Sequence, residues 1–290
     1  MKIRFLLLIA LFFIQIQNLY SQKTILWKVE KEGSNRVSYL LGTMHQVGNS
    51  FVDQRPQIKQ LILHSDLAVF ESVEDKKKTI IDVMNRRPND LSYRDNLEKR
   101  DIQFLETISA DWTVPLSKLS PAELAVKLEQ LYVLDVCETA KSTDTWQHLD
   151  DYLLSLAKTG GIKIEGLETN SDQFSAINSQ DNFTWKNAKE VVTARIENLR
   201  KKKNKNQICR ISSTYLGDMN FDYQFDVKCA ENDAMLINRN KEWLPKINEA
   251  MQNANAFIAV GLMHLFGDCG IISELRKLGY KATPIPLIKE

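Results

Sequence analysis

The sequence predicts an α/β (α+β) fold, a central mixed β-sheet with a large helical insertion, and three observations carry that prediction. Short apolar runs typical of strands occur at both ends of the chain, a long middle region shows only helical spacing, and two distant strands end in the same Gly-x-x-His pattern. Taken in order, residues 25–29 and 37–41 read as strands joined by a polar turn containing Gly33, hence a hairpin. A helix from about 56 to 64 leads to a short strand at 66–70. Segments near 75–86, 98–110, 121–135 and 149–158 are helical, and Ser120-Pro121 supplies a cap with proline at the first helical position. A strand at 162–167 follows the break at Gly160-Gly161, and helices resume through 171–178, 183–203, 207–216 and 224–253. The run 256–260 has no polar residue, which predicts a central strand; a helix at 268–278 and a strand at 281–286 complete the chain.

Lys2 and Arg4 precede an apolar run of about ten residues and a polar exit, the pattern of a secretory leader rather than of a span needing ~20 residues. Residues 1–21 are therefore expected to be removed, leaving 22–290 as one domain exported to the periplasm or medium, with no transmembrane segment. Hydrophobic residues make up 43% and charged residues 26%, ordinary for a globular chain and against disorder. Loss of Lys2 and Arg4 leaves 36 basic against 37 acidic side chains, so the net charge moves from +1 to −1 and no nucleic-acid partner is indicated. The basic run 200–205 reads as a solvated helix end. Four cysteines in an exported chain allow disulfides or buried thiols; Cys209–Cys229, closing a short loop between two helical stretches, is the preferred pair.

The chemistry gathers at strand exits. One strand runs into Gly42-Thr43-Met44-His45 and another into Gly261-Leu262-Met263-His264, while two more deliver Glu71 and Glu168. Ligands bind outside the carboxyl ends of strands in open α/β sheets, so these four side chains converge if their strands are parallel neighbours. Two imidazoles with a carboxylate are a suitable set for a divalent ion such as Zn, Mn or Co, and without metal the same groups offer acid–base chemistry. His64 and His148 read as surface or capping residues, and Asp150 either orients a catalytic group or caps the helix that follows it, the cap being the favoured reading. The tryptophans at 112, 146, 185 and 243 and the aromatic run 221–225 read as core or cleft wall. No His-Glu-x-x-His, Gly-x-Ser-x-Gly, Walker or Gly-x-Gly-x-x-Gly pattern occurs.

Leu26-Trp27-Lys28-Val29, Tyr39 through His45, Phe70-Glu71, Gly166-Leu-Glu-Thr169, Arg239-Asn240 and Ala259 through Gly267 together resemble the TraB/GumN (Tiki-like) family over residues 25–286. That resemblance implies a metal-dependent hydrolase, peptidase-like, with His45, His264 and Glu71 at the metal. By the same resemblance Glu71 and Glu168 are catalytic candidates, and Arg239 would either anchor a carboxylate or oxyanion through its planar fork or form a salt bridge that holds its helix to the sheet. The alternative is a protein of the same fold that sequesters a peptide or small ligand without turnover.

Overall fold

The computed structural model describes residues 22–179, 184–230 and 233–290, so the expected leader lies outside the described residues. Six strands form one mixed sheet: β2 (Leu26–Lys31), β3 (Val37–Thr43), β4 (Leu67–Phe70), β5 (Lys163–Gly166), β7 (Ala256–Gly261) and β8 (Tyr280–Ile285), in the spatial order β5-β4-β7-β3-β2-β8. A separate two-stranded ribbon pairs β1 (Gln22–Lys23) with β6 (Asn220–Phe221). The hairpin expected from the sequence is β2–β3, antiparallel with Trp27 opposite Leu40, and β8 runs antiparallel along the other side of β2.

What positions the site is the parallel half. β5, β4, β7 and β3 are consecutive neighbours and all run the same way, with Phe70 opposite Ala259 and Thr43 opposite Gly261. The strand without polar residues is central, and its six residues are buried. At ~1.5–3 kcal/mol for each fully buried Val, Ile or Phe, this strand alone is a large part of the core. Around the sheet lie α2 (Pro56–Leu63), α7 (Leu149–Thr159), α11 (Ile237–Asn253) and α12 (Ile271–Lys277): α7 touches β4 and β5, α11 touches β4 and β7, and α12 packs on β8. A four-residue helix α1 (Ser50–Asp53) precedes α2.

The helical insertion has its own core. It comprises α3 (Lys76–Arg86), α4 (Tyr93–Asn96), α5 (Lys99–Ile108), α6 (Pro121–Asp135), α8 (Asn170–Asn178), α9 (Trp185–Arg200) and α10 (Gln207–Leu216). Leu105, Leu124, Leu128, Ala188, Val192 and Ile196 form a cluster distinct from the one around the sheet. The predicted start of α6 is a full capping box: Ser120 accepts from the Glu123 amide, and Glu123 accepts from the Ser120 amide while also receiving the Arg87 fork at 2.6 and 2.9 Å. The basic run is a solvated helix end as expected, with Lys201 and Lys203 paired to Glu197.

Two expectations need correction. The helix read as 224–253 starts only at Ile237: Gln224 is left-handed (φ 51), and Asp222 and Asp233 accept from amides two residues ahead, which shapes the described residues around 224 and 233–236 as turns. The disulfides are Cys137–Cys209 and Cys229–Cys269, not Cys209–Cys229. Proximity in sequence was the wrong guide, because α10 presents Cys209 to the end of α6, whereas Cys229 lies in a turn that docks on residues 267–269 through Gly267 N to Tyr223 O and Asp268 N to Val227 O. The bridges span 72 and 40 residues, and on chain-entropy grounds each contributes at most about 4 kcal/mol. Reduction with a thiol is therefore expected to lower the thermal midpoint by well over 5 °C, read by circular dichroism with and without reductant. Among the described residues no helix is long and apolar enough to cross a membrane.

Candidate functional site

The parallel order brings all four strand-exit side chains to one end of the sheet. Beyond β4, Glu71 continues the pairing with the segment after β5, Glu168 N donating to Glu71 O at 2.9 Å, which fixes both carboxylates side by side. Beyond β7 the chain turns at once into a 3-10 turn, Leu262–Leu265, that buries His264 and leaves Met263 51% exposed. Beyond β3, His45 projects to the rim with its side chain 47% exposed.

A point beside Gly261 marks the convergence. A β-carbon there would stand 3.2 Å from Glu71 Oε1, 3.4 Å from His264 Cδ2 and 3.6 Å from His45 Nε2. Glycine leaves that space open, and the Gly261 amide donates to Glu71 Oε1 at 2.7 Å. The first glycine of the repeated pattern serves the packing instead. A β-carbon on Gly42 would strike Leu262 Cδ1 at 2.7 Å and Leu265 Cδ1 at 2.9 Å, so its absence lets the His264 turn pack on β3.

Each imidazole is fixed from behind. His45 Nδ1 lies 2.6 Å from Asp150 Oδ2, and Thr43 Oγ1 donates to Asp150 Oδ1 at 2.7 Å. Asp150 therefore orients His45 rather than capping α7, whose N-cap position is His148. The Asp150 charge, working against burial, raises the His45 imidazole to about 9, and the Asp150 carboxyl is held well below its ordinary range against the cost of burial. His264 differs: its Nδ1 lies 2.7 Å from Asn240 Oδ1, and burial pushes the imidazole down to about 3, so it is neutral at physiological pH.

Arg239, on the first turn of α11, ties the carboxylates together. Nε and Nη2 make a fork on Glu168 at 3.0 and 2.6 Å, Nη2 also reaches Glu71 Oε2 at 2.8 Å, and Nη1 donates to Met235 O at 3.1 Å and to His264 Nε2 at 3.3 Å. All five N–H groups of the guanidinium are thus engaged within the protein. Its plane lies 4.4 Å from the Trp243 ring, and Trp243 Nε1 donates to Glu168 Oε2 at 3.1 Å. Burial would raise the Glu71 carboxyl, but the neighbouring charges, His45 foremost, outweigh it and keep Glu71 ionised. Gln173 adds a weaker donor to Glu71 Oε2 at 3.3 Å.

A family model, the TraB/PrgY/gumN family, matches residues 25–284. The chain belongs to the TraB/PrgY/gumN family. Comparison with curated proteins and with solved structures finds no match. The span that makes this chain a TraB/PrgY/gumN member includes every residue of the site, from His45 and Glu71 through Glu168 and Arg239 to His264. The less favoured reading of Asp150, an acid that orients another group, is the one its contact with His45 bears out, whereas the parts played by Asn240 and Trp243 were not evident from residue type. His64 ends α2, its Nδ1 2.7 Å from Gln60 O, and plays no part here. Cys229, Asp268 and Cys269 also cluster, but the two sulfurs are bonded to each other and offer no thiolate.

The His45–Asp150 pair makes a pH prediction. A raised imidazole contributes stability that is complete below ~6.5 and lost as pH rises through about 9, and the lowered carboxyl contributes stability lost as pH falls below ~3.9. Asp150→Asn should bring His45 titration, followed by NMR, from about 9 back toward ~6.5. An unchanged midpoint would show that Asp150 does not set it.

Proposed function

We propose that this chain is an exported, metal-dependent hydrolase acting on peptides, with a divalent ion (Zn, Mn or Co) held by His45 Nε2, His264 Nε2 and Glu71. The observation that carries this reading is the common backing of the two imidazoles: each has Nδ1 engaged by an orienting acceptor, Asp150 or Asn240, while His45 Nε2 lies beside Gly261 and His264 Nε2 lies 3.9 Å from Glu71 Oε1. Ligating histidines are held in this way, since a hydrogen bond on one ring nitrogen orients the other; His264 Nε2 already has its lone pair free, whereas His45, charged without the ion, would give up its Nε2 proton on binding. An ion at this position would polarise a substrate carbonyl and lower the pKa of a bound water.

The protein's own groups would supply the rest. Glu71, held ionised, would bring negative charge to an ion, while Glu168 and Trp243 hold Arg239 in place. Nη1 of Arg239, now on His264 Nε2 at 3.3 Å, would be freed by a ligand on Nε2 and could then donate to an oxyanion. The site reaches solvent on one side, where His45 is half exposed and Met263, next to His264, is exposed, which leaves room for a peptide to approach. Two disulfides agree with an oxidising compartment and hence with export.

Elemental analysis of protein purified without chelator, beside the His45→Ala/His264→Ala double variant, tests the centre. About one metal per chain, lost in the variant, with metal-restored cleavage of a peptide library, supports the enzyme. The Arg239 bond to His264 Nε2 favours a second reading, a binding protein that sequesters a peptide or small ligand without turnover. Tight ligand binding with no cleavage under any metal would establish it instead.

A further inference from the structure

We infer that Asn240 is the positioning residue that selects the protonation tautomer of His264, and so decides which imidazole nitrogen is presented to the site. The tautomer assignment stands on the hydrogen-bond geometry alone; its consequence for metal affinity rests on the hydrolase reading above.

Asn240 is buried and lies one residue beyond Arg239 on α11. Its Nδ2 faces two carbonyl oxygens, His264 O at 3.1 Å and Cys269 O at 3.2 Å. A carbonyl only accepts, so the NH2 end of the amide must lie there, and Oδ1 is left facing His264 Nδ1 at 2.7 Å. Turning the amide over would lose both donor bonds and set oxygen against oxygen at a buried place. Since Oδ1 only accepts, Nδ1 must carry the proton, and Nε2 keeps its lone pair. Arg239 Nη1 agrees from the other side, because a guanidinium only donates and it points at Nε2.

The two partners are not equivalent. A ligand on Nε2 displaces the Arg239 bond, whereas the Asn240 bond lies behind the ring and persists. The backing of Asn240 is itself held in place: Cys269 is bridged to Cys229, and Ser273 Oγ, on the first turn of α12, donates to Gly267 O at 2.7 Å in the preceding loop. The chain thus holds one imidazole with a carboxylate, His45 on Asp150, and the other with a neutral amide, His264 on Asn240.

The experiment is a long-range 1H–15N correlation of the imidazole nitrogens in the metal-free, disulfide-intact protein, with His264 assigned by its absence in His264→Gln. The expected spectrum has His264 protonated on Nδ1 and bare on Nε2. In Asn240→Ala the expected result is a mixture of tautomers, and in Asn240→Asp, which keeps the shape but places a carboxylate at Nδ1, a shift toward the imidazolium. A wild-type His264 protonated on Nε2 overturns the proposal, as does a folded Asn240→Ala protein with the wild-type signature. Should Asn240→Ala fail to fold, the wild-type and Asn240→Asp spectra still decide. Zinc titration of the same proteins is expected to show a loss of about 10- to 100-fold on Asn240→Ala, the usual effect of removing a partner behind a ligating histidine. If the tautomers behave as expected but wild-type protein takes up no zinc, manganese or cobalt, the hydrolase reading fails while the role of Asn240 stands.

Discussion

Replacing Arg239 by Met is expected to destabilise the fold by about 3–5 kcal/mol, the usual cost of removing one partner from a buried ionic network. Glu71 and Glu168 are 7% and 4% exposed at their side chains, and Arg239 is the cation both of them touch. With the guanidinium gone, two carboxylates 2.6–2.8 Å from its former Nη2 would be left in low-dielectric surroundings without that compensation. The measurement is urea unfolding at two pH values. Because burial, no longer opposed by the Arg239 charge, would raise the Glu71 carboxyl and let it neutralise as pH falls, the deficit should be smaller at pH 5 than at pH 8. Adding Glu71→Gln and Glu168→Gln to the variant should recover part of the loss, since it removes the uncompensated charges themselves. Lys at this position should rescue poorly, because one ammonium cannot reproduce the fork on Glu168. A deficit below about 1 kcal/mol at both pH values would mean that water reaches the two carboxylates and that the network is not a structural element.

This network also shows what the sequence could reveal. The exits at His45 and His264 were legible because each apolar strand runs into a Gly-x-x-His pattern, and that at Glu71 because the apolar run 67–70 stops at a carboxylate; their convergence with Glu168 followed from the parallel order of β5, β4, β7 and β3. The capping box at Ser120 was legible for a similar reason: its partners lie three residues apart. What was not legible depends on groups far apart in the chain. Asp150 has the residue type and place of a helix-start acid, and only its distance to His45, 105 positions away, shows its use. Asn240 looks like any polar helix residue until His264 O and Cys269 O are seen beside it. The disulfides failed on the same account, as spacing says nothing about which helices lie together. The overlong helix at 224–253 failed because periodicity cannot register turns closed by the Asp222 and Asp233 side chains.

The repeated Gly-x-x-His pattern gives the sharpest remaining test, since its two glycines should respond oppositely to the same substitution. Gly261 has an ordinary backbone (φ −53, ψ 136), so Ala is free of conformational strain there, and its methyl would stand 3.2–3.6 Å from Glu71, His264 and His45. The expected result for Gly261→Ala is a stability within about 1 kcal/mol of wild type. Metal uptake, by contrast, should weaken at least tenfold, about 1.4 kcal/mol or more of binding, because the methyl fills the space beside Glu71 Oε1 and His45 Nε2 where the proposed ion would sit. Gly42→Ala should do the reverse. Its methyl would meet Leu262 and Leu265 at 2.7 and 2.9 Å, inside a packed turn, and overpacking of that kind costs about 1–3 kcal/mol. Thermal unfolding and zinc titration of the two variants, run together, separate the roles. If Gly261→Ala binds metal as wild type does, the ion does not sit beside Gly261, and the three-ligand centre fails. If Gly42→Ala is as stable as wild type, the His264 turn has room to move over β3, and its close packing does not set the position of the imidazole.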